Sequence, residues 1–146
     1  MHLADPRLGG IVIQLRVMVP SGLDDGFVSS LPVALTEVRL VNTGRVTQTV
    51  SLAFEAGSFL KGAPHPLMTD EVFGLQAEKD FFGWRRAPAA DPAIEGRAAK
   101  ISVDVPAGGD REFGFVIGHW EENWRCSARL PGIESLAAHV VRHWDS

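Results

Sequence analysis

The sequence predicts an antiparallel two-sheet β-sandwich followed by one C-terminal α-helix, and three observations carry that expectation. Residues 29–54 read as two long strands joined by a turn. In the second of them Val46, Gln48, Val50, Leu52 and Phe54 alternate with Thr47, Thr49, Ser51 and Ala53, the period of a strand with one buried face. A second pair follows the same logic: Ile101, Val103 and Val105 alternate with Ser102 and Asp104, Pro106-Ala-Gly-Gly-Asp110 turns, and Phe113, Phe115 and Ile117 resume the alternation as in a hairpin. The last segment changes period, with Ile133, Leu136, Ala137, Val140, Val141 and Trp144 on one helical stripe.

Taken in order, Ile11, Ile13, Leu15, Val17 and Val19 form a strand that ends at Pro20-Ser-Gly22. A loop with Asp24-Asp-Gly26 leads to Pro32, at a strand start where a missing amide donor is tolerated. Along residues 33–42 the alternation slips, Val33 and Leu35 sharing one phase and Val38 and Leu40 the other, and a β-bulge near Thr36 would repair it. Asn42-Thr-Gly44 supplies the next turn, since Asn and Gly accept positive φ. The Gly- and Pro-rich stretch 56–96 holds two short strands, at 72–76 and 81–84. The expected core draws on Ile13, Leu15, Val17, Val38, Leu40, Val50, Leu52, Phe54, Ile101, Val103, Phe113 and Phe115. Residues 1–130 form the sandwich and 131–146 a helix with an uncovered apolar stripe, so the expectation is a truncated chain whose last helix leads to a missing domain.

Composition narrows the functional classes. The length of 146 residues suits one domain with one core, and 45% hydrophobic with 22% charged residues excludes disorder and a disulfide scaffold. A formal charge of −4, with lysine only at Lys61, Lys79 and Lys100, argues against a nucleic-acid partner. Cys126 is the single cysteine, which allows no intrachain disulfide and fits a reducing compartment, so a cytoplasmic location is expected. The opening Met1-His-Leu-Ala-Asp-Pro-Arg7 lacks a cationic segment followed by an apolar run, and no stretch approaches the roughly 20 apolar residues of a membrane helix. Neither a secretion signal nor membrane insertion is expected.

The succession Asp5-Pro-Arg-Leu8, Ile11-Val-Ile-Gln-Leu-Arg-Val-Met-Val-Pro20, Ser29-Ser-Leu-Pro-Val33, Glu37-Val-Arg-Leu-Val-Asn42 and Val50-Ser-Leu-Ala-Phe54 resembles a known pattern. It is similar to the N-terminal β-sandwich of glycoside hydrolase family 116, the non-lysosomal glucosylceramidase (bile-acid β-glucosidase) family and its bacterial relatives. Pro106-Ala-Gly-Gly-Asp-Arg-Glu-Phe-Gly-Phe-Val-Ile-Gly-His-Trp120 resembles that family's Pro-Gly turn and its apolar strand ending in Trp. Glu55-Ala-Gly-Ser58 stands where the family carries Trp and Asn. The family's catalytic carboxylates lie on a C-terminal helical barrel, so the resemblance implies a non-catalytic accessory domain, with that barrel as partner and no catalytic residue of its own.

Several clusters are candidates for a site. Trp120-Glu-Glu-Asn-Trp124 combines aromatic faces that stack on sugars with carboxylates that bond hydroxyls, although a strand-closing Trp120 with solvated Glu121 and Glu122 is the plainer reading. Phe81-Phe-Gly-Trp-Arg-Arg86 places Trp84, Arg85 and Arg86 in an irregular region, where the arginines could hold a carboxylate or pair with a neighbouring domain. His139 and His143 share a helix face, but Val140 stands where a zincin motif needs glutamate, so no metal and no cofactor are expected. Asp24-Asp-Gly26 lacks the further ligands of a calcium loop, and Cys126 beside Arg125 lacks a nucleophile signature.

Three functions compete: the accessory sandwich of a family-116-like glycosidase, an independent carbohydrate-binding module using Trp84, Trp120 or Trp124, and an Ig-like assembly or adhesion domain. Under the first, Trp84, Trp120, Glu121, Trp124, Val140 and Trp144 form a surface that meets a catalytic domain or a second copy.

Overall fold

The structure is a computed structural model that describes residues 2–4, 10–18, 33–57, 60, 62–87, 90–120 and 132–142. Among the described residues ten strands and one helix succeed one another: β1 (His2–Ala4), β2 (Ile11–Met18), β3 (Val33–Asn42), β4 (Gln48–Glu55), β5 (His65–Met68), β6 (Val72–Ala77), β7 (Asp80–Arg85), β8 (Ala90–Glu95), β9 (Ala98–Val105), β10 (Asp110–His119) and α1 (Ile133–Arg142). They form a seven-stranded sheet in the order β1-β2-β3-β10-β7-β6-β5 and a three-stranded sheet in the order β4-β9-β8, with every neighbouring pair antiparallel. The two-sheet sandwich with a C-terminal helix is the architecture that the alternation predicts.

The small sheet crosses the large one. Successive inward residues of β7 meet successive strands of the small sheet. Phe82 stacks on Phe54 of β4 at 3.9 Å, and Trp84 Nε1 donates to the Ala99 carbonyl of β9 at 3.0 Å. Arg86, just past β7, shares a small cleft with Ala90 and Pro92 of β8. Strands running across one another in this way are an orthogonal packing, in which the chain changes sheet at corners. The core between the sheets is aromatic: Phe82 lies edge-to-face with Trp84 at 5.0 Å and tilted against Phe115 at 5.1 Å, while Trp84 meets Phe113 and Phe115 at 5.9 and 5.3 Å. Val38, Leu40, Val50, Ile101 and Val103 are buried around it, and Ile13, Leu15, Leu52 and Phe54 pack against it half-covered. Val17 departs from the expected core at 69% exposed, because the three-stranded sheet is too narrow to cover that end of β2.

Both apparent hairpins are corners between sheets. β3 belongs to the large sheet and β4 to the small one, and β9 and β10 are divided in the same way. Alternation shows that a strand buries one face and says nothing of its bonded neighbour. True hairpins join β6 to β7 through Glu78-Lys79, and β8 to β9 through Gly96-Arg97. Asn42, fully buried, ties the two corners together. Its Nδ2 donates to the carbonyls of Val46 (2.8 Å) and Val105 (3.0 Å), its Oδ1 accepts from Gly44 N (2.9 Å), and its own amide donates to Gly109 O (2.9 Å). Neither Asn42 nor Gly44 has a positive φ, so the position uses the asparagine side chain rather than its backbone tolerance.

The phase slip in β3 needs no bulge. Its register is continuous, from Val33↔Gly118 to Val41↔Asp110 with β10 and from Leu35↔Met18 to Asn42↔Ile11 with β2. β3 instead buries both faces: Val38 and Leu40 point into the sandwich, while Val33 and Leu35 join Leu67, Val72, Phe81 and Val116 in a second core on the opposite side of the large sheet. α1 covers that second core with Ile133, Leu136, Ala137, Val140 and Val141. The expected uncovered stripe is therefore a correction: Val140 is 1% exposed and packs against the chain's own sheet. The helix starts with Leu136 N donating to Gly132 O at 3.1 Å. Its last turn is held where Arg142 Nε meets Glu71 Oε1 at 3.0 Å.

Two outcomes follow. Asn42→Ala removes the side-chain donor to the Val105 and Val46 carbonyls and costs about 2–3 kcal/mol, read from the shift of a urea unfolding curve. Val140→Asp places a carboxylate in a dry interface and costs about 3 kcal/mol or more, seen as a lowered thermal midpoint rather than a change in oligomeric state.

Candidate functional site

α1 covers only part of the outer face of the large sheet. Along β3 that face carries Val33 and Leu35 beneath the helix, then Glu37 and Arg39 beyond it, so one strand switches from apolar to charged where the cover ends. The uncovered part forms a groove of about 500 Å³ lined by Gln14, Leu15, Arg16, Glu37, Val38, Arg39, Arg85, Arg86, Ala87, Glu112 and Phe113.

Strand register builds its polar lining. β2 and β3 set Arg16 opposite Glu37 and Gln14 opposite Arg39, and β10 sets Glu112 opposite Arg39. Arg39 is the hub: its Nη2 and Nε lie 2.6 and 2.7 Å from Asp110 Oδ2, and its Nε lies 3.7 Å from Glu112 Oε1. Arg16 Nη1 stands 3.7 Å from Glu37 Oε2, with the Arg16 side chain 74% exposed. Ion pairs this exposed contribute little to stability. Four arginines face two glutamates in the groove, a basic bias in a chain whose formal charge is −4. The arrangement suits recognition of partner charges and hydroxyls through planar guanidinium donors.

The β5–β6 turn anchors the other wall. Thr69 Oγ1 accepts from the amides of Glu71 (3.1 Å) and Val72 (3.0 Å). Arg86 leans on the same turn. Its amide donates to Glu71 O at 2.9 Å, its Nε to Thr69 O at 2.6 Å, and its guanidinium lies 5.7 Å from the centre of the Phe73 ring.

Of the residues singled out in the sequence, Arg85 and Arg86 line the groove. Trp84, between β7 neighbours that alternate sides, points inward and is 5% exposed, so its expected surface role is a second correction: its ring packs against Phe82, Phe113 and Phe115 and its indole N–H is bonded to the Ala99 carbonyl. Trp120 is half-buried against the second core, with its amide donating to Lys79 O at 2.8 Å. Glu121, Glu122, Trp124, Cys126, His143, Trp144 and the Asp24-Asp-Gly26 loop lie outside the described residues. His139 lies half-buried on α1, and among the described residues no group of three or more His, Cys, Asp or Glu side chains could hold a metal ion. Sequence reasoning missed Arg16, Glu37, Arg39 and Glu112. Their signal was charge at alternate strand positions, which becomes a site only when the pairing order is known. It missed as well a half-buried pair at the far end of the β7–β10 ladder, His119 Nδ1 to Asp80 Oδ1 at 2.7 Å. No helix among the described residues is long and apolar enough to cross a membrane.

No protein-family model matches this chain, and no curated protein matches it. Solved structures do. One described as a kojibiose phosphorylase from the human microbiome superposes with a TM-score of 0.56 at 8% sequence identity, over 92% of this chain and 19% of that one. The likeness is one of fold, and this chain spans about a fifth of that protein's length.

Because the groove's ion pairs are exposed, Arg39→Ala should change unfolding free energy by less than about 1 kcal/mol in denaturant titration, in contrast to the core variants.

Proposed function

We propose that this chain is a non-catalytic accessory β-sandwich domain of a carbohydrate-processing enzyme, seated against a helical catalytic unit through the groove beside α1. The observation that carries the reading is the outer face of the large sheet, apolar and helix-covered at one end of β3 and charged and open at the other. A helix already rests on this face, and the groove continues the platform with polar contacts of the kind found between domains. Fold likeness to a region amounting to 19% of a kojibiose phosphorylase supports the same role. The sequence resemblance to glycoside hydrolase family 116 makes β-glucoside hydrolysis the first activity to assign to the parent enzyme, with kojibiose phosphorolysis its rival. The reading as an independent sugar-binding module loses Trp84, which is buried.

Two measurements test this. The chain alone should release nitrophenol from aryl β-glucosides at the buffer rate; turnover that Glu121→Gln or Glu122→Gln abolishes would overturn the non-catalytic role. In the full gene product, Arg39→Glu combined with Arg85→Glu should split one cooperative melting transition into two. A single unshifted transition, or a gene that encodes this chain alone, would sink the docking role.

A further inference from the structure

We propose that the outer edge of β4 is a self-association site, at which two copies pair β4 against β4, antiparallel about a two-fold axis, and fuse their small sheets into one. The inference is independent of the groove. Among the described residues β4 pairs with β9 on one side and ends the small sheet on the other. An unpaired strand edge is a template for another strand, and proteins guard such edges with proline, charge or brevity. The other sheet ends here are guarded: β8 carries Asp91, Pro92 and Glu95, β5 is four residues long with Pro66, and β1 is three residues long. β4 is eight residues long, and Thr49-Val-Ser-Leu-Ala-Phe54 contains neither proline nor charge. Thr49, Ser51 and Ala53 are exposed.

The occupant follows from the strand's own pattern. An antiparallel pair keeps its faces matched only when residues of the same parity oppose one another. With Ser51 on the two-fold axis, Val50 of one copy opposes Leu52 of the other on the inner face, and Thr49 opposes Ala53 on the outer face. The strand is thus its own complement. Growth stops there, because Pro92 on β8 lacks the amide hydrogen that a further strand would need. The product is a closed two-fold dimer and not a fibre. One strand pair falls short of the roughly 1,200 Å² of a stable complex, so the dimer is concentration-dependent.

Sedimentation equilibrium of the whole chain should show a monomer–dimer equilibrium. Ser51→Lys with Ala53→Lys sets like charges across the axis and should raise the dissociation constant at least about tenfold. Ser51→Glu with Ala53→Glu should do the same, and mixing the two variants should restore a dimer, which a misfolded variant could not. In the unaltered protein, amide exchange protection between residues 49 and 53 should fall on dilution, while Arg39→Glu leaves the equilibrium unchanged. A monomer at every concentration, dimers unaffected by the lysines, no rescue on mixing, or dilution-independent exchange would each overturn the proposal.

Discussion

One carboxamide joins two of the four places where the chain leaves one sheet for the other. Asn42 ends β3 and bonds simultaneously to the corner it belongs to, through Val46 and Gly44, and to the corner between β9 and β10, through Val105 and Gly109. A two-sheet packing with crossed strands has no ladder between its layers, so the relative placement of the sheets rests on side-chain packing and on such corner bonds. A buried carbonyl left unbonded is costly, and Asn42 donates to two carbonyls at the ends of the small sheet's strands, Val46 just before β4 and Val105 at the end of β9. The aromatic core then forms around a geometry already set at its rim.

The second constraint is that the large sheet is buried on both sides at its centre. β3, β6, β7 and β10 each send alternate residues into the sandwich and into the helix-covered core. Close approach within this sheet depends on small residues. Gly74 and Gly83 face one another in register, and a Cβ on Gly74 would stand 1.8 Å from the Phe82 carbonyl oxygen, which admits no side chain at all. Where α1 stops, apolar residues on the outer face give way to Glu37, Arg39, Arg16 and Glu112. The groove lies on the part of the outer face that the described helix leaves open, and its charges are placed by strand register rather than by any loop.

Much of this was legible in the residues. Strands 11–18, 48–55, 98–105 and 110–119 announce themselves by strict alternation, and α1 by its change of period. What alternation cannot encode is the neighbour of a strand: Phe54 and Phe113 look the same in sequence whether their strands form hairpins or face one another across a core. The slip of phase at Val33 and Leu35 was the one local trace of the second core, and a bulge explains such a slip equally well until the helix is seen resting on it. The helix's own stripe shows that it needs cover, but sequence spacing does not show that the cover lies within the chain. The groove was the least legible feature, because Arg16, Arg39 and Glu112 come from three strands far apart in sequence.

The division into two cores leaves each with its own indole. Trp84 lies in the aromatic cluster between the sheets and Trp120 against the helix side, in a chain that contains no tyrosine. The near-ultraviolet absorption of the indoles, and the fluorescence excited there, are therefore free of phenolic background. Trp84, bonded to Ala99 O inside a dry cage of phenyl rings, sits in a rigid asymmetric environment, while Trp120 is partly open to water. Of the four tryptophans in the sequence, these two stand in environments of different polarity, one per layer, so each adds to the indole signal a component that reports on its own layer.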